Sequence, residues 1–192
     1  MGFKDFMLRK THEEAFNKLK SLMEKTKNQM NIYKTLIHCV NFSDSIVVFS
    51  RDNSLNSLRA IIDSAKNLMV KAMQNEIPIK GAVAYGEISV DVNDGNQIFC
   101  GQPIIDAFLF QDLQLYYYGV VFLHSFEDFI IKGNKNMYDD INNEKDIHKK
   151  SIIEIETPIK VGIVNHLNLN WFSNFSDDNH QFSKIIGSIL VK

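Results

Sequence analysis

Apolar and polar positions follow a clear pattern in residues 36–50, which read LIHCVNFSDSIVVFS. Two runs rich in β-branched residues, Leu36–Val40 and Ile46–Phe49, flank the polar break Ser43-Asp44-Ser45. That pattern predicts strand, tight turn and strand. Asp44 stands at the hairpin tip, where a carboxylate either makes the turn or faces solvent or a ligand. A carboxylate fixed at a strand end is also a donor for a hard cation, since Mg²⁺ takes one or two carboxylates plus phosphate oxygens.

Helical periodicity brackets this hairpin. Thr11 and Glu14 form a T-x-x-E capping box, and Phe16, Leu19 and Met23 give the helix that follows, near 11–29, a buried stripe. Residues 54–75 carry Leu55, Leu58, Ile61, Ile62, Ala65, Leu68, Met69, Ala72 and Met73 on one broad face, which predicts a helix stopped by Asn75-Glu76-Ile77-Pro78. Its methionines read as core filling rather than a binding face. Residues 79–91 predict one long strand in the same sheet as the hairpin, with Gly81 and Gly86 marking a bulge or a close approach to the backbone. Asn93-Asp94-Gly95-Asn96 is a hairpin turn, and Pro103 opens a helix to about Tyr116.

Beyond it, Val120–Leu123 predicts a buried strand and Ser125 the start of a short helix. Residues 134–150 read as a polar surface excursion, and 151–171 as a strand interrupted by Pro158. A closing helix is expected over Phe175–Leu190. His38, His124 and His166 fall in separate strand-like segments, and each reads as a hydrogen-bonded core or edge residue. The order predicts an α+β fold of the ferredoxin-like kind, a mostly antiparallel sheet with helices packed on it. A βαββαβ core also needs a strand ahead of the first helix, which this chain almost lacks.

Composition narrows the classes. At 192 residues the chain suits a single domain over 1–192, and 45% apolar with 11% aromatic residues makes it globular. A net charge of -2 argues against bulk nucleic-acid binding. No apolar run is long enough to span a bilayer, and residues 1–10 lack a secretory h-region, so a cytoplasmic protein is expected. Cys39 and Cys100 lie in apolar segments without metal-ligand spacing and read as reduced core cysteines.

Four segments, in order, resemble the class III nucleotidyl cyclase domain. Met1-Gly2-Phe3-Lys4-Asp5-Phe6 resembles its first-strand motif, and Phe42-Ser43-Asp44-Ser45 the hairpin bearing its second metal aspartate. Gly81-Ala82-Val83-Ala84-Tyr85-Gly86-Glu87 resembles its Gly-Ile-His-Thr-Gly-Glu strand, and Phe99-Cys100-Gly101 through Leu113 the start of its Gly-Asp-x-Val-Asn helix. Within that family the chain looks most like bacterial cyclase-like domains that include the pyrimidine cyclases of Pycsar antiphage systems, with Gly101, Ala107 and Phe108 fitting their spacing.

The resemblance implies a ferredoxin-like cyclase fold and conversion of a nucleoside triphosphate to a 3′,5′-cyclic nucleotide and pyrophosphate by two-metal catalysis, with Mg²⁺ or Mn²⁺ as cofactor. It implies Asp44 as metal ligand and the backbone of Gly2, Phe3 and Lys4 as phosphate cradle, in a homodimer. The family's purine-reading positions fall on Val40 and Ile98, both apolar, so a pyrimidine is favoured. Its catalytic asparagine and arginine positions fall on Ile105 and Leu109, which leaves the catalytic residues unassigned. The first metal aspartate would precede Met1, so the expectation is a native start further upstream, with a strand ending in Asp-Ile. A catalytically inactive cyclase-like module that binds a nucleotide or a partner is the second reading. A palm-type polymerase relative making cyclic oligonucleotides ranks last, since its Gly-Gly-Asp-Asp hairpin is absent.

Overall fold

A computed structural model of the chain describes residues 10–42, 45–93, 96–114, 118–146 and 149–175. The fold is mixed α+β, and the chain divides into two compact units. The first comprises Met1–Ile79, Lys145–Ser151 and Asn170–Lys192; the second comprises Lys80–Glu144 and Ile152–Leu169.

In the first unit, α1 (His12–Met30) begins at the expected capping box. The Thr11 backbone N–H donates to Glu14 Oε2 at 3.3 Å, and the Glu14 N–H donates to Thr11 Oγ1 at 3.2 Å. The buried stripe is rotated from the expected one. Ala15, Leu22, Thr26 and Met30 are buried, whereas Phe16 is 57% exposed. Small residues explain the rotation, because Ala15 lets α1 close on Ala72 and Ile77 beyond it. Strands β1 (Ile37–Phe42) and β2 (Ser45–Ser50) pair antiparallel, with Val40 opposite Val47 and Phe42 opposite Ser45. One face of this hairpin, through Ile37, Cys39, Ile46 and Val48, packs on Met30 and Ala60.

Helix α2 (Leu55–Gln74) is capped by Ser54, whose hydroxyl accepts the Ser57 N–H at 3.1 Å. It ends as predicted, with Glu76 at φ 59 and the Ile77 N–H bonded to Ala72 O at 2.9 Å.

The second unit opens with β3 (Gly81–Val83), followed by the hairpin β4 (Ser89–Asn93) and β5 (Asn96–Cys100). Residues 79–91 are therefore not one strand: the chain leaves β3 after Val83 and turns at Gly86, φ 155, before re-entering as β4. Helix α3 (Gln102–Leu109) continues as a π-helical turn, Phe110–Gln114. Strand β6 (Val120–Phe122) is buried throughout. Helix α4 (His124–Glu127) runs into a second π-helical stretch, Asp128–Gly133, and α5 (Lys135–Ile141) follows. Within the expected surface excursion over 134–150 there is thus a helix, and Asn142 just after it is buried.

Strands β7 (Ile152–Ile159) and β8 (Gly162–Leu169) form one antiparallel hairpin. Pro158 does not interrupt it. The residue lies opposite Ile163 on β7, the edge of a sheet ordered β3-β6-β8-β7, where a missing N–H is tolerated. Among the described residues the pairings are antiparallel except β3 with β6, and β1-β2 and β4-β5 form sheets of their own. The hairpin of residues 36–50 and strand β3 are accordingly not in one sheet among these residues. The expected closing helix lies almost wholly outside the described residues.

Candidate functional site

Of the residues singled out by the sequence, Asp44, Gly2, Phe3 and Lys4 lie outside the described residues. Val40 sits in the middle of β1 in the first unit and is 7% exposed, so its side chain serves packing. Ile98, on β5 of the second unit opposite Asp91, is 64% exposed. Ile105 and Leu109 lie on α3, together with Phe108, and all three are solvent-exposed although none is polar.

The two glycine-bearing segments of the second unit do come together. A Cβ on Gly86 would stand 2.6 Å from Pro103 Cγ, and one on Gly101 would stand 2.6 Å from the Glu87 carbonyl oxygen and 2.9 Å from Ile88 Cγ2. Only glycine fits either place, at Gly86 also because of its φ. The loop after β3 is thereby clasped to the first turn of α3, where Pro103 is pre-set for a helix start.

A polar cluster forms between α4 and β8. His124 Nδ1 lies 2.8 Å from Glu127 Oε2, and His166 Nδ1 lies 3.1 Å from Glu127 Oε1. The Leu167 N–H donates to the same Oε1 at 3.4 Å. The imidazole centroids are 5.1 Å apart, and Phe110 meets His166 edge-on at 5.7 Å. His166 is buried, whereas the His124 side chain is 82% exposed. An ionised carboxylate only accepts, so both imidazoles turn an Nδ1–H toward Glu127, and in the neutral form of either ring the lone pair then stands on Nε2. The sequence reading kept these histidines apart. His124 opens a helix rather than lying in a strand, and the readable signal was His124 and Glu127 at helical i, i+3 spacing.

Other titratable groups read as inert or structural. Burial pushes the Cys39 thiol up to about 11, which removes it as a nucleophile. Cys100 is also a free thiol, but it is exposed at the end of β5 and not a core residue as expected. The Lys80 and Lys160 ammonium groups both donate to the Asp112 carbonyl, at 3.5 and 3.1 Å, in the π-helical turn. Among the described residues no three His, Cys, Asp or Glu side chains are arranged to hold a metal ion. No helix among them is long and apolar enough to cross a membrane. Comparison of the chain with protein-family models, with curated proteins and with solved structures gives no match.

Proposed function

We propose that this chain is a nucleotidyl cyclase-like domain that takes a nucleoside triphosphate, a pyrimidine first. It would yield the 3′,5′-cyclic nucleotide and pyrophosphate by attack of the ribose 3′-hydroxyl on the α-phosphorus. The observation that carries this reading is the clasp between the Gly81–Glu87 segment and the helix after Gly101. These are two of the four segments that resemble the cyclase domain, and each carries a glycine that packing requires. The ferredoxin-like cyclase architecture, a cytoplasmic setting and a role in antiphage signalling belong to the same proposal.

Asp44 would hold Mg²⁺ or Mn²⁺ with substrate phosphate oxygens completing the shell. This donor set fits one ion and not two, because Asp44 is the sole metal carboxylate the reading finds in the chain. The phosphate cradle would be Gly2, Phe3 and Lys4. Val40 and Ile98 belong to different units, and only Ile98 is exposed enough to touch a base.

The exposed apolar side chains of Ile105 and Leu109 favour a second reading, a catalytically inactive module that binds a nucleotide or a partner. Neither side chain can neutralise a transferring phosphate. One experiment separates the two. The chain is incubated with each of the four nucleoside triphosphates and Mn²⁺, and products are resolved by liquid chromatography with mass detection. Cyclic pyrimidine nucleotide, lost in Asp44→Ala, is the expected result. Nucleotide binding without turnover would leave the inactive module, and no binding of any nucleotide would remove the enzyme and leave the module only as a partner binder.

A further inference from the structure

We propose that His124 is a phosphoryl-acceptor site, its Nε2 the nucleophile and Glu127 the group that activates it. The cluster between α4 and β8 is built for this and is independent of the nucleotide reading. Glu127 is held from one side by buried His166 and by the Leu167 N–H, at 3.1 and 3.4 Å on Oε1. Its other oxygen, Oε2, is left for His124 Nδ1 at 2.8 Å. The carboxylate therefore fixes the His124 tautomer and raises electron density on the far nitrogen. That nitrogen belongs to a side chain 82% exposed, so a reagent reaches it without any part of the fold opening. Among the described residues His124 has no polar partner on Nε2.

The chemistry balances with a donor of the phosphoramidate class. The Nε2 lone pair attacks phosphorus and an N–P bond forms. The bond from phosphorus to the leaving amine breaks, and the amine departs with the bonding pair and a proton from solvent. The reacting form is the neutral ring with its proton on Nδ1, in which Nε2 carries no proton to lose. The ring keeps its Nδ1–H and becomes cationic beside the Glu127 carboxylate, which stabilises that charge as it develops. Phosphoryl transfer suits an imidazole acceptor, because the N–P product persists in neutral water while an N-acyl imidazole hydrolyses readily.

The same molecule supplies a control. His12 is also exposed, at the start of α1, where its ring stacks on Phe16 at 6.5 Å, and among the described residues no carboxylate binds it. The full chain is treated with potassium phosphoramidate at neutral pH, and each phosphohistidine is followed by mass spectrometry and ³¹P NMR. His124 should label at Nε2 about 10- to 100-fold faster than His12, the order of magnitude by which hydrogen-bonded partners of metal-bound histidines change affinity or activity. Glu127→Gln should bring His124 down to the His12 rate and leave His12 unchanged, and His124→Ala should remove the fast phase. Equal rates at the two histidines, labelling of His124 chiefly on Nδ1, or an unaltered rate in folded Glu127→Gln would each overturn the proposal. The rate ratio and the labelled nitrogen are both read on the unaltered chain, so the test holds even where Glu127→Gln does not fold.

Discussion

Lys66 shows how much a single side chain can conceal. It projects from α2, is only 6% exposed, and its ammonium donates to Ser151 Oγ at 3.0 Å and Ser173 Oγ at 2.9 Å. Both partners are neutral, so burial lowers its pKa, and nearby Asp63 opposes this only in part. Between that lowered value and the ordinary lysine value of about 10.4, the unfolded chain binds more protons than the folded one. Stability from this group therefore rises with pH across that interval and is lowest where the lysine is charged in the fold. The difference in denaturation midpoint between the natural chain and Lys66→Met should shrink as pH climbs from neutral toward 10, with the methionine variant at least as stable at neutral pH. Parallel midpoint curves for the two chains would sink this account. Position 66 was legible in principle. Ile62, Lys66, Met69 and Met73 form one row along α2, all buried, but the charge diverts attention from the row.

Helix starts were legible at the scale of elements because their signals are local. Thr11 with Glu14, and Ser54, satisfy orphan amides within one turn of chain. Hairpin β1-β2 was equally plain, since its two runs lie side by side in sequence. Strand limits over 79–91 and the continuity of β7 through Pro158 were not, because distant partners decide both: Pro103 against Gly86, and β8 beside β7. Asn142 belongs to the same class. Its side-chain amide donates to the Ile152 carbonyl at 3.2 Å and accepts the Ile152 N–H at 3.0 Å, closing the outer edge of β7 with a side chain in place of a strand. Replacing it with leucine, similar in size, leaves both backbone groups without this partner. At about 1–3 kcal/mol for each of the two buried groups, Asn142→Leu should cost roughly 2–6 kcal/mol. Urea unfolding measures this. Since domain stabilities are roughly 5–15 kcal/mol, the variant should be marginal, and a loss under about 1 kcal/mol would show the edge to be adequately hydrated instead.

For the whole molecule, the sequence marked some chemistry well and missed the rest for a definite reason. Gly86 stood out because glycine inside an apolar run asks for an explanation, whereas Gly101 was marked only by the resemblance and by its place before a helix. The pairing of Glu127 with His166 did not, being a contact between α4 and β8 that no local spacing encodes. Exposed apolar surface is a third case, visible only once the fold is known. Helix α3 reads QPIIDAFL, yet none of its residues is buried, and Ile105, Phe108 and Leu109 are 51%, 56% and 44% exposed. Their i, i+3, i+4 spacing puts them on one face. Scattered exposed hydrophobes need no explanation, but an apolar helix face open to water is the ordinary mark of an interaction surface. A second copy of the chain is the partner that the proposed cyclase reading requires. Sedimentation should therefore find a dimer at high micromolar concentration. Phe108→Glu should convert it to monomer, because a buried carboxylate without a partner opposes association. The monomer itself should be nearly untouched, since the side chain is exposed there and such surface changes usually stay within about 0.5 kcal/mol. A natural chain that sediments as a monomer, or a Phe108→Glu variant as dimeric as its parent, would remove α3 as the interface and with it the structural support for activity across two subunits.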